Sequence, residues 1–190
     1  MGLEIERKFL LKNSQILDFL KEAGLVFKHL EISQFYTKIT QNEEIRFRSE
    51  EDKFIKTIKV GKDLIREENE EFCEKAEFKK ALKNRIGRLI TKDRYIFRLN
   101  NNPCNIDVFK DGLNGLCTFE IEFSDENEAV YFKLPSFLEQ FCQADVTCDK
   151  RYKNKFLAIH ANENEQIDYK RAYNVFKNKE ISPNFTANLK

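Results

Sequence analysis

The feature that most constrains this chain is a repeated alternation of charged and apolar residues in strand-like stretches. Residues 4–9 read Glu-Ile-Glu-Arg-Lys-Phe. Successive side chains of a β-strand point to opposite faces, so Glu4, Glu6 and Lys8 would share one face and the residues between them the other. One such stretch is compatible with an ordinary edge strand whose charged face is solvated. Its recurrence along the chain predicts a whole sheet with one ionic face.

Eight stretches have this strand-like alternation, and most of the remaining chain has the apolar spacing of helices. The predicted strands span residues 4–9, 32–40, 44–50, 53–60, 64–72, 90–99, 105–109 and 117–123. The predicted helices span residues 14–23, 72–83, 124–133, 135–141 and about 149–160. From residue 161 the chain becomes polar, with a further helix expected over 163–178 and a loose tail after it. We therefore predict one domain over 1–160 and a C-terminal extension over 161–190.

The ionic face of the predicted sheet carries acids and bases in equal number. The acids are Glu4, Glu6, Glu68, Glu70, Asp107, Glu120 and Glu122, and the bases are Lys8, Arg46, Arg48, Lys59, Arg66, Lys92 and Arg94. A dry ionic core is excluded, because each buried unsatisfied ion costs several kcal/mol. Two architectures remain: an open sheet with its ionic face in water, or a closed sheet with helices outside and a wet ionic lumen. Pairs of like charges two residues apart on so many strands favour the lumen.

Composition limits the class of protein. The 190 residues are 41% hydrophobic and include 18 Phe, which is enough for one sizeable core. A net charge of +1 lacks the basic excess of a nucleic-acid or membrane-surface protein. Five cysteines without a CxxC pair and two histidines disfavour a Cys/His zinc site. Reduced thiols, no apolar run of about 18 residues and no signal-peptide layout lead us to expect a cytoplasmic protein.

The two kinds of charge indicate a metal-bridged polyphosphate as ligand. Guanidinium forks and ammonium groups suit phosphate oxygens. The carboxylate pairs Glu4/Glu6 and Glu120/Glu122 offer the oxygen ligands that Mg²⁺ or Mn²⁺ prefers. A bound metal would neutralise phosphate oxygens and acidify an attacking water. The GxxxxGK[ST] phosphate loop is absent from the sequence, so a P-loop mechanism is not expected.

The order of these motifs resembles that of the CYTH proteins, also called triphosphate tunnel metalloenzymes. Glu4-x-Glu6-x-Lys8 is similar to the ExExK signature of that family, and the likeness extends over about residues 3–160. The other matching segments are Gln34-Phe35-Tyr36, Ile45-Arg46-Phe47-Arg48, Thr57-Ile58-Lys59, Arg66-x-Glu68-x-Glu70, Lys92-x-Arg94-Tyr95, Ile106-Asp107-Val108-Phe109, Glu120-Ile121-Glu122-Phe123 and Asp149-Lys150-Arg151-Tyr152-Lys153-Asn154. The set looks most like the small bacterial single-domain members.

The resemblance implies an α+β fold: a closed, eight-stranded antiparallel β-barrel, or tunnel, with a charged lumen and helices packed outside. It implies catalytic roles for Lys8 and Tyr36, although a packed or rim aromatic is the alternative for Tyr36. It implies Glu4, Glu6, Glu120 and Glu122 as ligands of Mg²⁺ or Mn²⁺. The substrate-binding residues would be Lys8, Arg46, Arg48, Lys59, Arg66, Lys92, Arg94 and Lys153. A supporting or second-metal role is implied for Glu68, Glu70, Asp107 and Asp149, with structural ion pairing as the alternative.

The function expected from this resemblance is metal-dependent hydrolysis of inorganic triphosphate, with nucleoside triphosphates as further substrates. Thiamine-triphosphate hydrolysis and cyclic AMP synthesis from ATP on the same fold are alternatives, but both need a pocket for an organic group that the sequence does not reveal. A non-catalytic module that binds polyphosphate or nucleotide is a third alternative, which loss of the acidic residues would have favoured. The expected ligand is a triphosphate, and the chain is compatible with a homodimer. Nucleic acid and a membrane are not expected as partners.

Overall fold

The computed structural model describes residues 5–62 and 65–160, and the predicted extension over 161–190 lies outside this part of the chain. The described residues form nine strands and five helices. The strands are β1 Ile5–Leu11, β2 Lys28–Ile39, β3 Glu43–Glu50, β4 Lys53–Lys62, β5 Ile65–Phe72, β6 Ile86–Leu99, β7 Asn102–Phe109, β8 Cys117–Phe123 and β9 Cys142–Asp145. The helices are α1 Gln15–Glu22, α2 Lys75–Lys83, α3 Glu126–Tyr131, α4 Ser136–Glu139 and α5 Asn154–His160. Two short 3-10 turns span Asp111–Leu113 and Lys150–Tyr152.

All nine strands form one antiparallel sheet in the order β5-β4-β3-β2-β6-β7-β8-β1-β9. The α+β class and the antiparallel pairing are therefore confirmed. The prediction of eight strands is wrong, because a short ninth strand, β9, pairs with β1 from Phe9 to Leu11. The strands β5 and β9 occupy the two edges, and no pairing between described strands joins them. The pairing of the described strands does not confirm the closed barrel, which stays a prediction.

The apolar face of the sheet is covered by helices in two places. Ile16, Leu17 and Leu20 form the buried stripe of α1, which packs with Phe9 and Phe119 of β1 and β8 in the larger cluster. Burying one such side chain contributes roughly 1.5–3 kcal/mol. Farther along the sheet, α2 contributes Phe78 to a smaller cluster with Phe35 and Phe47, whose rings stack at 5.5 Å between centroids. Within the described ranges, every helix is too short or too polar to cross a bilayer.

A second cover lies on the opposite face of the sheet, at one end. Leu10, Ile90 and Phe109 stand two residues from Lys8, Lys92 and Asp107, so they share a face with these charged residues. They pack with Leu157 and Ala158 of α5 in one buried cluster. Gly87 on β6 permits this close approach: it has φ +70°, and a Cβ there would overlap the backbone carbonyl of Ala158. The end of the otherwise ionic face is consequently sealed by apolar contacts.

Arg7 fixes the edge of the sheet on the helical side. Its guanidinium donates to the backbone carbonyls of Ala129 and Phe132 at 3.0 and 3.1 Å, and to the Asp145 carboxylate at 2.5 Å. The carbonyls at a helix C-terminus have no partner within the helix, so Arg7 satisfies groups that α3 leaves open. It also ties β9 to β1 through Asp145. Arg7 is therefore a structural cation between two site residues, Glu6 and Lys8.

Candidate functional site

One face of the sheet collects charged residues from seven strands. The register sets Lys8 opposite Glu120, Glu6 opposite Glu122, Arg46 opposite Thr57, and Lys59 opposite Glu68. Arg94 lies opposite Asp107 in the same way. Because side chains that face each other across a strand pair point to the same side, the predicted ionic face is present in the described structure. We call it the ionic face below.

The half of the ionic face on β6, β7, β8 and β1 is a chain of buried ion pairs. Lys8 Nζ lies 2.6 Å from the Glu120 carboxylate, and Arg94 donates two 2.7 Å hydrogen bonds to Asp107 and lies 3.4 Å from Glu120. Lys92 Nζ donates to Asp107 at 2.6 Å. Asp107 is 0% exposed and Lys92 2% exposed, so this pair has no direct access to solvent. Three cations and two acids are fixed together here.

Electrostatics in this half keep the acids ionised. Burial alone would raise the pKa of Glu120, but the charges of Lys8, Arg94 and Lys92 outweigh it and hold that pKa far below its usual range. Asp107 behaves likewise: burial opposes its ionisation, while Lys92 and Arg94 lower its pKa. Burial, together with the neighbouring Arg94, lowers the pKa of Lys92 to about 8 in spite of Asp107. Lys92 is thus the weakest base of the chain of ion pairs.

The half of the ionic face on β3, β4 and β5 is more open. Arg46 lies 3.1 Å from Glu70 and 3.7 Å from Glu68. Arg48 lies 3.0 Å from Glu50 on its own strand and 3.7 Å from Glu70. Lys59 pairs with Glu68 at 2.7 Å. The side chains of Glu68 and Glu70 are 27% and 42% exposed. These two acids can therefore leave the cations and enter water at little cost.

Tyr36 lies at the boundary between the ionic face and the apolar end cover. Its ring packs in the cluster with Leu157, and the residue is 2% exposed, so it is a buried aromatic and not a rim residue. Burial raises the pKa of its phenol well above the usual range although Arg46 opposes this shift, so the hydroxyl stays protonated. Gln34 Nε2 donates to the hydroxyl oxygen at 3.3 Å. Among the described residues, the Lys8 ammonium bonds Glu120 and Tyr36 bonds Gln34, so the two predicted catalytic groups have separate partners.

The candidate metal ligands are only partly described. Glu6 and Glu122 are exposed and lie directly opposite each other on β1 and β8. Two carboxylates are thus placed on the same face across one strand pair. Glu120 is already bonded to Lys8, and Glu4 lies outside the described residues. Within residues 5–62 and 65–160, no group of three or more acids, histidines and cysteines is arranged to hold a metal ion by itself.

Three further predicted site residues are not placed on the ionic face by the described structure. Asp149 accepts hydrogen bonds from Arg151 Nε at 2.8 and 3.0 Å and precedes a 3-10 turn. Its carboxylate therefore serves a local ion pair next to the end cover. Lys153 is exposed just before α5. The backbone of Arg66 pairs with Gly61, and its side chain lies outside the described part of the structure.

Several residues of the ionic face were given no role in the sequence analysis. Glu44 is 6% exposed and lies 3.2 Å from Lys155 Nζ, which links β3 to α5. Asn105 donates to Glu120 at 3.0 Å, and Gln34 contacts Tyr36. Glu44 and Gln34 stand two residues from Arg46 and Tyr36, so strand parity could have placed them on this face. The contact with Lys155 is a tertiary one that no local pattern indicates.

The described fold is an antiparallel sheet with one ionic face, helices on the other face and an apolar cover at one end. We compared this fold and the sequence with those of known proteins. No protein-family model matches the chain. Its sequence is 32% identical to the inorganic triphosphatase of Nitrosomonas europaea over 157 residues, which are 82% of this chain and 97% of that protein. A crystal structure of an inorganic triphosphatase matches with a TM-score of 0.62 and 30% identity, covering 84% of this chain and 96% of that one.

A more distant structure shows the same fold. A protein from Hippeastrum, described as an adenylyl cyclase candidate with a dominant triphosphatase activity, matches with a TM-score of 0.57 and 17% identity over 72% of this chain and 87% of that one. At this identity the likeness concerns the fold alone. The near-complete match to the bacterial protein shows more: the chain belongs to the CYTH, or triphosphate tunnel metalloenzyme, family.

Proposed function

We propose that this protein hydrolyses inorganic triphosphate with the help of a divalent cation. The observation that carries the proposal is the coexistence, on one sheet face, of partly exposed Arg46, Arg48 and Lys59 with the opposed carboxylates Glu6 and Glu122. Cations in fork geometry bind phosphate oxygens, and acids at the other end bind a metal. The relative at 32% identity, which is named an inorganic triphosphatase, supports the same substrate.

The first step we propose is an exchange of partners on β3, β4 and β5. Arg46 and Arg48 now face Glu70, and Lys59 faces Glu68. A triphosphate carries more charge and more acceptor oxygens than these two carboxylates, so it displaces them. The displaced acids, which are already partly exposed, turn to solvent. In the buried half, in contrast, Asp107 stays between Lys92 and Arg94. Lys92 therefore helps to hold Asp107, and Asp107 holds Arg94.

We also propose that the ionic face encloses the substrate as a tunnel. The sheet has enough strands to close into a small barrel, and twist brings the edges of such a sheet toward each other. The ion pair between Lys155 on α5 and Glu44 on β3 already bridges elements that are distant in the chain. The apolar cover around Tyr36 seals one end, which leaves the end near Glu6 and Glu122 as the entrance.

The residues at the entrance fit a divalent cation. Mg²⁺ is commonly held by one or two carboxylates together with substrate phosphates, and the cross-strand pair Glu6 and Glu122 offers such a site. We propose Glu4 as a further ligand, because the sequence pattern predicts that it shares a face with Glu6. When bound, the cation would supply positive charge that neutralises phosphate oxygens and acidifies a water molecule.

The reaction consists of one displacement at phosphorus. The oxygen of a water molecule forms a bond to the terminal phosphorus, and the bond from that phosphorus to the bridging oxygen breaks. The electron pair stays on the departing diphosphate, so triphosphate and water give diphosphate, phosphate and a released proton. Arg46, Arg48 and Lys8 would hold the equatorial oxygens. Tyr36, which stays protonated, would donate a hydrogen bond to the oxygen that gains charge.

The test is release of phosphate from tripolyphosphate by the purified protein with Mg²⁺ or Mn²⁺, compared with the same mixture containing EDTA. We expect metal-dependent turnover that Arg48→Ala strongly lowers. Lys79→Ala, which changes an exposed lysine on α2, is the matched control and should be as active as the wild type. Absence of turnover with every metal, or full activity of Arg48→Ala, would contradict the proposal. Parallel assays with ATP and thiamine triphosphate, including detection of cyclic AMP, separate the alternatives on this fold.

A further inference from the structure

Gln34 is a buried polar residue on the ionic face that the proposed reaction has not used. It is 2% exposed, as is Tyr36 two residues further along β2. The register sets Gln34 opposite Arg48 and Tyr36 opposite Arg46. The side-chain amide of Gln34 donates to the Tyr36 hydroxyl oxygen at 3.3 Å. Burying a side-chain amide costs free energy unless it is hydrogen-bonded. The bond to Tyr36 offsets that cost and suggests what Gln34 does.

The direction of this hydrogen bond decides where the phenol hydrogen points. A phenol has one O–H donor and lone pairs that accept. Because one lone pair accepts from Gln34, the hydrogen must point away from Gln34. The facing residues Arg46 and Arg48 carry only donors. The carboxylate of Glu44, whose charge also acts on Tyr36, is paired with Lys155 Nζ at 3.2 Å. Among the described residues, the Gln34 bond is the hydrogen bond that the structure shows for this hydroxyl.

We propose that Gln34 is a positioning residue that turns the Tyr36 hydroxyl toward a phosphate oxygen held by Arg46 and Arg48. This inference rests on the proposed function. When a polyphosphate displaces Glu70 from Arg46 and Arg48, its oxygens supply an acceptor for the phenol hydrogen. Gln34 then fixes one lone pair of the phenol before the substrate arrives, which spares the cost of ordering the hydroxyl during the reaction. Tyr36 touches the substrate, and Gln34 acts through Tyr36.

The first test is a double-mutant cycle in kcat for tripolyphosphate. Gln34→Met keeps the length of the side chain and removes the donor, and loss of one hydrogen bond predicts a decrease of roughly 3- to 10-fold in kcat with KM nearly unchanged. Tyr36→Phe removes the hydroxyl itself. If Gln34 acts through that hydroxyl, Gln34→Met has no further effect on kcat in the Tyr36→Phe background. Independent, multiplying effects of the two substitutions would overturn the inference.

The second test reverses the polarity of the contact. In Gln34→Glu the ionised carboxylate only accepts, so it takes the phenol hydrogen away from the substrate. We expect kcat of this variant to fall as the pH rises through the pKa of the introduced carboxyl, whereas Gln34→Met shows no such limb. Gln34→Asn, whose shorter amide falls short of Tyr36, should resemble Gln34→Met. A pH profile of Gln34→Glu parallel to that of the wild type would refute the assigned direction of the hydrogen bond.

Two failures can be told apart by these assays. If wild-type protein releases no phosphate from tripolyphosphate with any metal, the proposed function fails. If the wild type is active and the cycle gives independent effects, only the role of Gln34 fails. Thermal unfolding followed by circular dichroism shows which variants are folded. Gln34→Asn, the most conservative change, keeps the cycle interpretable if Gln34→Met does not fold.

Discussion

Two neighbouring members of the chain of buried ion pairs, Asp107 and Lys92, are expected to respond in opposite ways to substitution. The carboxylate of Asp107, which has no solvent exposure, forms ion pairs with Lys92 and Arg94. Asp107→Asn would leave three cations with Glu120 as the only acid, whereas Lys92→Met would leave two cations and two acids. Arg94 alone still serves both oxygens of Asp107 after the second change. We therefore expect Asp107→Asn to destabilise the protein and Lys92→Met to leave it as stable or more so.

The magnitudes follow from the burial and the pKa. Removing one partner of a buried ion pair costs about 3–5 kcal/mol, which corresponds to a decrease in Tm of roughly 6–20 °C for a protein of this size. The pKa of Lys92 lies at about 8 against 10.5 for an unperturbed lysine. That difference means that keeping Lys92 charged below pH 8 costs the folded state about 3 kcal/mol. Lys92→Met removes this cost.

The sign of the pH dependence follows from the same pKa. The unfolded chain binds a proton at Lys92 more tightly than the folded chain does, so the contribution of Lys92 to stability rises as the pH rises from about 8 to 10.5. Burial raises the pKa of the Cys104 and Cys117 thiols to about 12, which lowers stability over part of the same range. The difference between wild type and Lys92→Met cancels the thiols and isolates Lys92.

The measurement is the free energy of unfolding from urea titrations of the wild type and both variants between pH 7 and pH 10. We expect Asp107→Asn to lose several kcal/mol at pH 7. Lys92→Met should gain stability relative to the wild type at pH 7, and most of this gain should be lost by pH 10. Equal destabilisation by the two substitutions, or a Lys92→Met difference that does not change with pH, would refute the reasoning from excess positive charge.

Three further substitutions test other contacts. Glu70→Gln weakens a competitor for Arg46, so KM for tripolyphosphate should fall by roughly 2- to 5-fold, the size of one exposed ion pair; steady-state kinetics would show this, and a raised KM would contradict partner exchange. Glu122→Gln removes one carboxylate of the entrance pair, so half-maximal activity should require roughly tenfold or more additional Mg²⁺; an unchanged metal titration would count against this site. Arg7→Leu removes three hydrogen bonds from a cation, so the free energy of unfolding should fall by about 2–4 kcal/mol; a change under 1 kcal/mol in urea titrations would show that α3 and β9 are held by other contacts.

The ionic face could be predicted from sequence because strand parity is a local property. Arg46 and Arg48 share a face wherever β3 lies in the sheet, and the same holds for Glu68 and Glu70 on β5. Other residues at the same strand parity, such as Glu44 two positions before Arg46, were within reach of the same reasoning. Strand parity predicts which face of the sheet a side chain occupies, but it does not predict which residue lies beside it on the next strand. The ion-pair partners became known only from the register of the strands.

The parts that escaped prediction depend on contacts distant in sequence. β9 is four residues long, and it is a strand because β1 offers it a free edge and Arg7 binds Asp145 beside it. The end cover formed by α5 depends on the missing Cβ of Gly87, more than sixty residues earlier in the chain. Arg7 was expected to share the apolar face, and its role there became visible only when α3 brought two carbonyl groups to it.

Burial divides the ionic face into one half that can exchange partners and one half that cannot. Glu68 and Glu70 are partly exposed, so they gain hydration when a ligand replaces them on Arg46, Arg48 and Lys59. Asp107 has no exposure, and releasing it would strand a carboxylate away from water at a cost of several kcal/mol. A polyphosphate is therefore expected to bind by displacing the first pair of acids while the buried pairs keep Arg94 and Lys8 oriented. The carboxylates of the ionic face already stabilise its cations, so a ligand gains only the difference between their contacts and those of its phosphates.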